Sequence, residues 1–275
     1  MDSKVTAMRR FAHEIRKQTV RCIGTLGVGH IGGSMSVCET LAVLYSEIMK
    51  VDPKNPKWED RDWFVLSKGH AGPAVYATLA LKGYFPLDTL DTLNKPNTIL
   101  PSHCDRNKTP GVDMTVGSLG QGVENAVGLA MGFKMDGKAN RVYCIVGDGE
   151  CNEGSMWESA MCARHFGLDN LTVIVDDNDL QSDGRTATIM DMESMEEHWR
   201  AFGWNVISVE DGHDVEQLYN ALTAEKVEGK PTCIVSHTIK GKSWLGFEDK
   251  ETCHNSSVTP EQYAAAMKAL EEVDL

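Results

Sequence analysis

The chain has 275 residues, 41% of them hydrophobic and 24% charged, the proportions of a globular protein long enough to bury a sizeable core. No apolar run approaches the ~20 residues that span a bilayer, so a disordered tail, a collagen-like fibre and a multi-pass membrane protein are excluded. With 27 Lys and Arg against 40 Asp and Glu, the formal net charge is −13, so nucleic acid is not an expected partner and any phosphate must be caught locally.

Residues 8–23 read as an amphipathic helix, followed by a glycine-rich turn from Gly24 to Gly33. A second helix is expected near 37–49, stopping before Asp52-Pro53, where proline cannot continue it. Trp63-Phe64-Val65-Leu66 suits a buried strand ending in Ser67-Lys68-Gly69-His70, and a helix over 73–82 follows. Residues 94–118, rich in Pro, Thr, Gly and Asn, read as one long loop, a feature that is usually functional.

The second half alternates. Helices are expected over 122–135, 153–166 and 195–202, from Asp214, and from Thr259-Pro260-Glu261-Gln262, which has capping-box spacing. Strands are expected at 142–146, 171–175, 205–209 and 232–236. Short apolar strands alternating with helices predict an α/β fold, a parallel sheet with helices on both faces, in one domain over 1–275.

The first five residues show neither a signal core nor an Arg-rich transit pattern, which points to the cytoplasm. The eight cysteines are dispersed without a C-x-x-C pair, as suits reduced, buried thiols. Cys162 and His165 lie one helical turn apart, but no second pair completes a zinc site.

In open parallel sheets ligands bind beyond the carboxyl ends of the strands. Two predicted strands end in suitable chemistry: Gly147-Asp148-Gly149-Glu150, and Asp176-Asp177-Asn178-Asp179-Leu180. Glycines flanking Asp148 allow a sharp turn and close approach of an amide to an anion. The Asp148 carboxylate, the Asn178 amide oxygen and the Leu180 carbonyl, with two diphosphate oxygens and a water, would complete an octahedron for magnesium. Either motif alone is a common turn or loop cap. Both together, one strand–helix unit apart, form a specific signal.

These two motifs look like the thiamine-diphosphate signature. Together with Gly29-His30-Ile31-Gly32-Gly33-Ser34, Leu66-Ser67-Lys68-Gly69-His70-Ala71 and Thr115-Val116-Gly117-Ser118-Leu119-Gly120-Gln121-Gly122, they make the chain resemble the diphosphate-binding domain of transketolases over roughly residues 8–272. A full-length transketolase is more than twice this length, so the chain resembles the N-terminal subunit of a split enzyme.

The resemblance implies thiamine-diphosphate-dependent transfer of a two-carbon ketol unit from a ketose donor to an aldose acceptor. It implies Mg2+ (or Ca2+ or Mn2+) at Asp148, Asn178 and the Leu180 carbonyl, with cofactor contacts at Gly147, Gly149, Gly117 and Leu119. Glu153 and Glu158 match acidic residues that link paired active sites. His30, His70, His103 and His254 match histidines lining the cofactor and donor sugar, with His70 and His254 also at the cofactor. The resemblance further implies a partner subunit carrying the pyrimidine-binding and C-terminal domains, two copies of each chain, and sugar phosphate or related sugar substrates: pentose and hexose phosphates by default, branched or sulfonated sugars otherwise.

The residues support the histidines independently. Breaking a carbon–carbon bond beside a ketone needs a proton removed from a hydroxyl and donors for developing oxyanions, tasks suited to imidazole. His13, His165, His198 and His213 read as structural, and His237, ending a predicted strand, is left open. Three segments depart from the family pattern: Ile31 in place of proline, Cys104-Asp105 after His103, and Cys253 and Asn255 around His254. The alternatives are a non-catalytic regulatory subunit, or another thiamine-diphosphate reaction such as that of a 2-oxo-acid dehydrogenase or deoxyxylulose-phosphate-type synthase.

Overall fold

The structure, a computed structural model, describes residues 2–273. Helix α1 (Asp2–Leu26) leads. Val5, Met8, Ala12, Ile15 and Thr19, three or four residues apart, are all buried, which makes one continuous buried stripe. Strand β1 (Val28–Gly29), α2 (Ile31–Met35) and α3 (Cys38–Val43) follow, and α3 continues into a wider π-helical turn to Ile48. The remaining elements are β2 (Trp63–Leu66), α4 (Gly72–Lys82), α5 (Gln121–Met135), β3 (Val142–Gly147), α6 (Gly154–His165), β4 (Leu171–Asp177), α7 (Thr186–Ile189), α8 (Met195–Ala201), β5 (Asn205–Val209), α9 (Val215–Thr223), β6 (Thr232–His237), β7 (Ser256–Ser257) and α10 (Pro260–Glu271).

The main sheet has order β2-β3-β4-β6-β5, every neighbouring pair parallel. Its central strands are mostly apolar because both faces are covered. Phe64, Tyr143, Ile145, Ile174 and Ile234 face a core shared with α1, α3, α4 and α9. Val65, Val142, Cys144, Val146, Val173, Val175 and Val235 face the opposite core under α5, α6 and α8. A third cluster joins Ile23, Ile31, Met35, Trp244, Phe247 and Leu270, fastening α10 to the start of the chain. Thr259 and Gln262 cap α10 reciprocally.

Two expectations need correction. The run from Gly24 to Gly33 is not one turn: it ends α1, forms β1 and opens α2, because β1 pairs antiparallel with β7 (Val28 with Ser257). Strand β4 does not stop at Val175; it continues through Asp176 and Asp177, which pair with Ser236 and His237 of β6. Residues 94–118 carry no helix or strand, as expected. All eight cysteines are free thiols. Among the described residues no helix is long and apolar enough to cross a membrane.

Candidate functional site

The tips of β2, β3, β4 and β6 converge at the carboxyl edge of the sheet, around one pocket. It is lined by Gly33, Lys68, His70, Leu119, Gly147, Asp148, Gly149, Glu150, Asn178, Leu180, Gln181, Ser182, Lys240 and His254. Asp148 and Asn178, the two side chains expected to hold a cation, are therefore brought together, and both are buried. The Asp148 carboxylate accepts from the Gly149 amide (2.8 Å) and from Thr186 Oγ1 (3.1 Å). Burial, with Asp176 nearby, pushes its carboxyl up to about 7.

Asp148, Asn178 and the Leu180 carbonyl form an all-oxygen donor set for a hard divalent cation. Asp148, buried beside a second carboxylate, is the charge such a cation would offset. The residues present thus fit a metal-anchored diphosphate. The Leu180 carbonyl is engaged here: Lys240 Nζ donates to it (2.5 Å) and to the Gln181 carbonyl (3.1 Å).

Four further buried groups, none carrying a role in the sequence motifs, hold this pocket. Lys68 pairs with Asp176 at 2.5 Å and donates to the Gly33 carbonyl at 2.9 Å. Asp176 also accepts from Ser36, Asn178 and Thr238. Burial alone would raise the Asp176 carboxyl, but the Lys68 ammonium and these hydrogen bonds hold it below the usual range. Glu150 accepts from Ser67 (2.5 Å), the Gly120 amide (2.8 Å) and the Gly147 amide (3.0 Å), tying two strand tips to the loop that carries Leu119. Lys240 is the fourth, and the signal for it was available: it follows β6 as the acidic motifs follow β3 and β4.

Glycine is favoured at two of these turns. A Cβ on Gly149 would lie 2.7 Å from Gln181 Cγ. Gly120 has φ of +83°, and a Cβ there would lie 2.4 Å from Ser155 Oγ.

The four expected histidines form one cluster, although their segments are far apart in sequence. The His30 ring centroid lies 5.3 Å from His70, 5.5 Å from His103 and 5.6 Å from His254, and His70 lies 4.8 Å from His254. His70 and His254 line the pocket, and His30 bridges them to His103. Burial drives His30 down to about 4 and His254 to about 3. It also lowers His70 and His103. All four rings are therefore neutral near pH 7, able to donate from one nitrogen and accept at the other. Among the described residues, His254 Nδ1 is buried without a partner.

Gly117 stands beside His103, where a Cβ would lie 3.5 Å from its Cδ2, and Leu119 is exposed at the pocket. Glu153 and Glu158 are exposed at the start of α6 and on its surface, and neither lines the pocket. None of His13, His165, His198, His213 and His237 lines it either. His237, left open from sequence, pairs with Asp177 (3.0 Å) and Glu196 (3.1 Å).

Residues 7–271 match the family model described as transketolase, thiamine diphosphate binding domain. The chain is 51% identical over 273 residues to the 6-deoxy-6-sulfo-D-fructose transketolase subunit SqwG of Clostridium sp. (strain MSTE9), covering 99% of each chain. It is 39% identical over 258 residues to an apulose-4-phosphate transketolase subunit of Phocaeicola vulgatus, covering 94% of this chain and 91% of that one. Among solved structures, transketolase from Leishmania mexicana superposes with a TM-score of 0.90 at 33% identity over 97% of this chain. The chain spans 42% of that structure's length.

Proposed function

The chain belongs to the transketolase family, matching its thiamine-diphosphate-binding domain, and from that premise we propose that, with a partner subunit, it transfers a two-carbon ketol unit from an anionic ketose to an aldose. The observation that carries this reading is the convergence of Asp148, Asn178, two buried lysines and neutral histidines at one pocket.

In this reading Asp148, Asn178 and the Leu180 carbonyl hold Mg2+, which Ca2+ or Mn2+ could replace. Lys68, Lys240 and the backbone from Gly147 to Gly149 meet the diphosphate. Helix-like turns and close amides suit that anion, and the Lys240 ammonium, with the cation, provides local positive charge that a chain of net −13 otherwise lacks, the Lys68 charge being matched by Asp176. Gly117 and Leu119 carry the loop beneath the cofactor's ring. Thiamine diphosphate, when bound, supplies the electron sink for carbon–carbon cleavage.

His30, His70, His103 and His254 bind the donor's hydroxyls, take and return a proton, and hold oxyanions as neutral donors. Their depressed basicity serves this: an imidazole that is already protonated cannot accept a proton. Glu153 and Glu158 face outward from α6, where a second subunit would meet them. Two copies of each chain would give paired sites.

The Clostridium and Phocaeicola relatives are both called subunits and match this chain nearly end to end, which supports a two-chain enzyme. The sulfofructose subunit is the more similar of the two. A sulfonated ketose is therefore proposed as donor in place of the pentose and hexose phosphates expected from sequence, with apulose 4-phosphate as the second candidate. These relatives are transketolases, so another thiamine-diphosphate reaction is not favoured. A cytoplasmic setting fits such sugar chemistry.

The test is ketol transfer by the purified chain, alone and mixed with its partner subunit. The donors are 6-deoxy-6-sulfofructose, apulose 4-phosphate and xylulose 5-phosphate. Transfer that needs both chains and prefers the sulfonated donor is expected. Full turnover by this chain alone overturns the two-chain reading, and preference for another donor overturns the substrate assignment.

A further inference from the structure

Behind the pocket, on the side of α1, lies a partly buried polar chain that the reaction itself does not use. Arg16 is 4% exposed. Its Nη1 donates to two main-chain carbonyls at once, Met35 (2.8 Å) and Lys242 (2.8 Å), and its Nη2 pairs with Glu39 Oε1. The other oxygen of Glu39 faces His213 Nδ1 at 3.0 Å. His213 Nε2 receives the Ile239 amide at 2.8 Å. A backbone N–H can only donate, so Nε2 is the acceptor and Nδ1 carries the proton that goes to Glu39.

The two ends of this chain meet the two lysines of the pocket. Met35 closes α2, whose Gly33 carbonyl receives Lys68 Nζ. Ile239 and Lys242 bracket Lys240, whose Nζ reaches the Leu180 carbonyl. The loop carrying His213 is itself pressed on this segment: the Gly212 amide donates to the His237 carbonyl at 2.7 Å, and a Cβ on Gly212 would lie 2.5 Å from Thr238 Cγ2.

We propose that Arg16, Glu39 and His213 are positioning residues that clamp the Ile239–Lys242 segment and so aim the Lys240 ammonium at the cofactor's diphosphate. The proposal rests on the functional reading above. It explains why a histidine that reads as structural is bonded at both ring nitrogens: without the Nε2 acceptor the Ile239 amide is left unpaired, and the segment loses its fixed register against α3.

A double-mutant cycle of thiamine diphosphate binding, measured with Mg2+ in the chain assembled with its partner subunit, tests this. His213→Ala is expected to weaken binding up to about tenfold, the effect of one partly buried hydrogen bond, while the KM for the sugar donor changes little. In a Lys240→Ala background the same substitution should cost almost nothing further. His213→Gln, whose Oε1 can accept from Ile239, should recover most of the affinity, and it carries the test if His213→Ala does not fold. Full additivity of His213→Ala and Lys240→Ala, or no recovery with glutamine, overturns the clamp alone. An assembled enzyme that binds no thiamine diphosphate overturns the functional reading as well.

Discussion

The Lys68 ammonium lies 2.5 Å from the Asp176 carboxylate, with both side chains almost completely buried. The pair joins the tip of β2 to the tip of β4 across β3, so the strand carrying Asp148 is held between two strands tied by charge. Asp176 in turn orients Asn178 through the latter's amide. One buried carboxylate therefore sets both a lysine and an amide at the pocket.

Removing one partner of a buried ion pair strands the other charge, which costs about 3–5 kcal/mol. Lys68→Met should therefore lower unfolding free energy by about that amount. The double variant Lys68→Met/Asp176→Asn should recover a substantial part of it, since no uncompensated charge remains. Chemical denaturation of the three proteins checks this, and equal losses in single and double variants would contradict it.

Gly120 combines a left-handed backbone, φ +83°, with space too small for a methyl group. Gly120→Ala carries a backbone penalty on the order of 1–3 kcal/mol and pushes the loop away from Ser155. Because the Gly120 amide is a donor to Glu150, the shift reaches Leu119 at the pocket. The expected result is weaker thiamine diphosphate binding together with a lower midpoint of thermal unfolding, both read by fluorescence.

The His237 pair gives a pH signature. Hydrogen bonding to Asp177, opposed by burial and aided by Glu196, raises the imidazole from its ordinary 6.5 to about 9. The folded protein then binds more protons than the unfolded chain between these values, so stability falls as pH rises through the window. The contribution is whole below about 6.5 and gone above about 9. His237 is 38% exposed, so solvent screening keeps the effect small. Urea midpoints measured from about pH 6 to 10, a range that brackets this window, should decline in the native protein and decline less in His237→Gln.

Much of this architecture was legible in the residues. Trp63–Leu66 and Val142–Val146 read as strands because a sheet covered on both faces leaves only continuous apolar runs. Asp148 and Asn178 were readable because each follows such a run among turn-forming residues. Asp176 was not: it looks like part of a loop, and only pairing with β6 draws it into the strand and buries it. The position of Lys240 after β6 was a readable signal, but its partners, the Leu180 and Gln181 carbonyls, lie 60 and 59 positions away and required the fold. β1 and β7 are two residues each, too short for any periodicity, and exist through each other. The four histidines could each be named from the sequence, whereas their meeting in one cluster and the neutrality of their rings required the fold and the depth at which they sit.

Asp148→Asn separates stability from function at this site. The native carboxylate is buried near Asp176, and burial with that neighbour raises it to about 7. An uncharged amide of the same shape removes that repulsion, so the metal-free variant should unfold at the same denaturant concentration as the native chain or a higher one. It also removes the only charged donor of the proposed cation set. Even outer partners of a metal are worth about 10–100-fold in affinity, so loss of a direct ligand should weaken Mg2+-dependent thiamine diphosphate binding by more than about a hundredfold. Calorimetric titration of thiamine diphosphate with Mg2+ and with chelator measures the binding half of the expectation, and denaturant titration the other. Undiminished Mg2+-dependent binding by the variant would remove Asp148 from the cation site, whatever the stability showed.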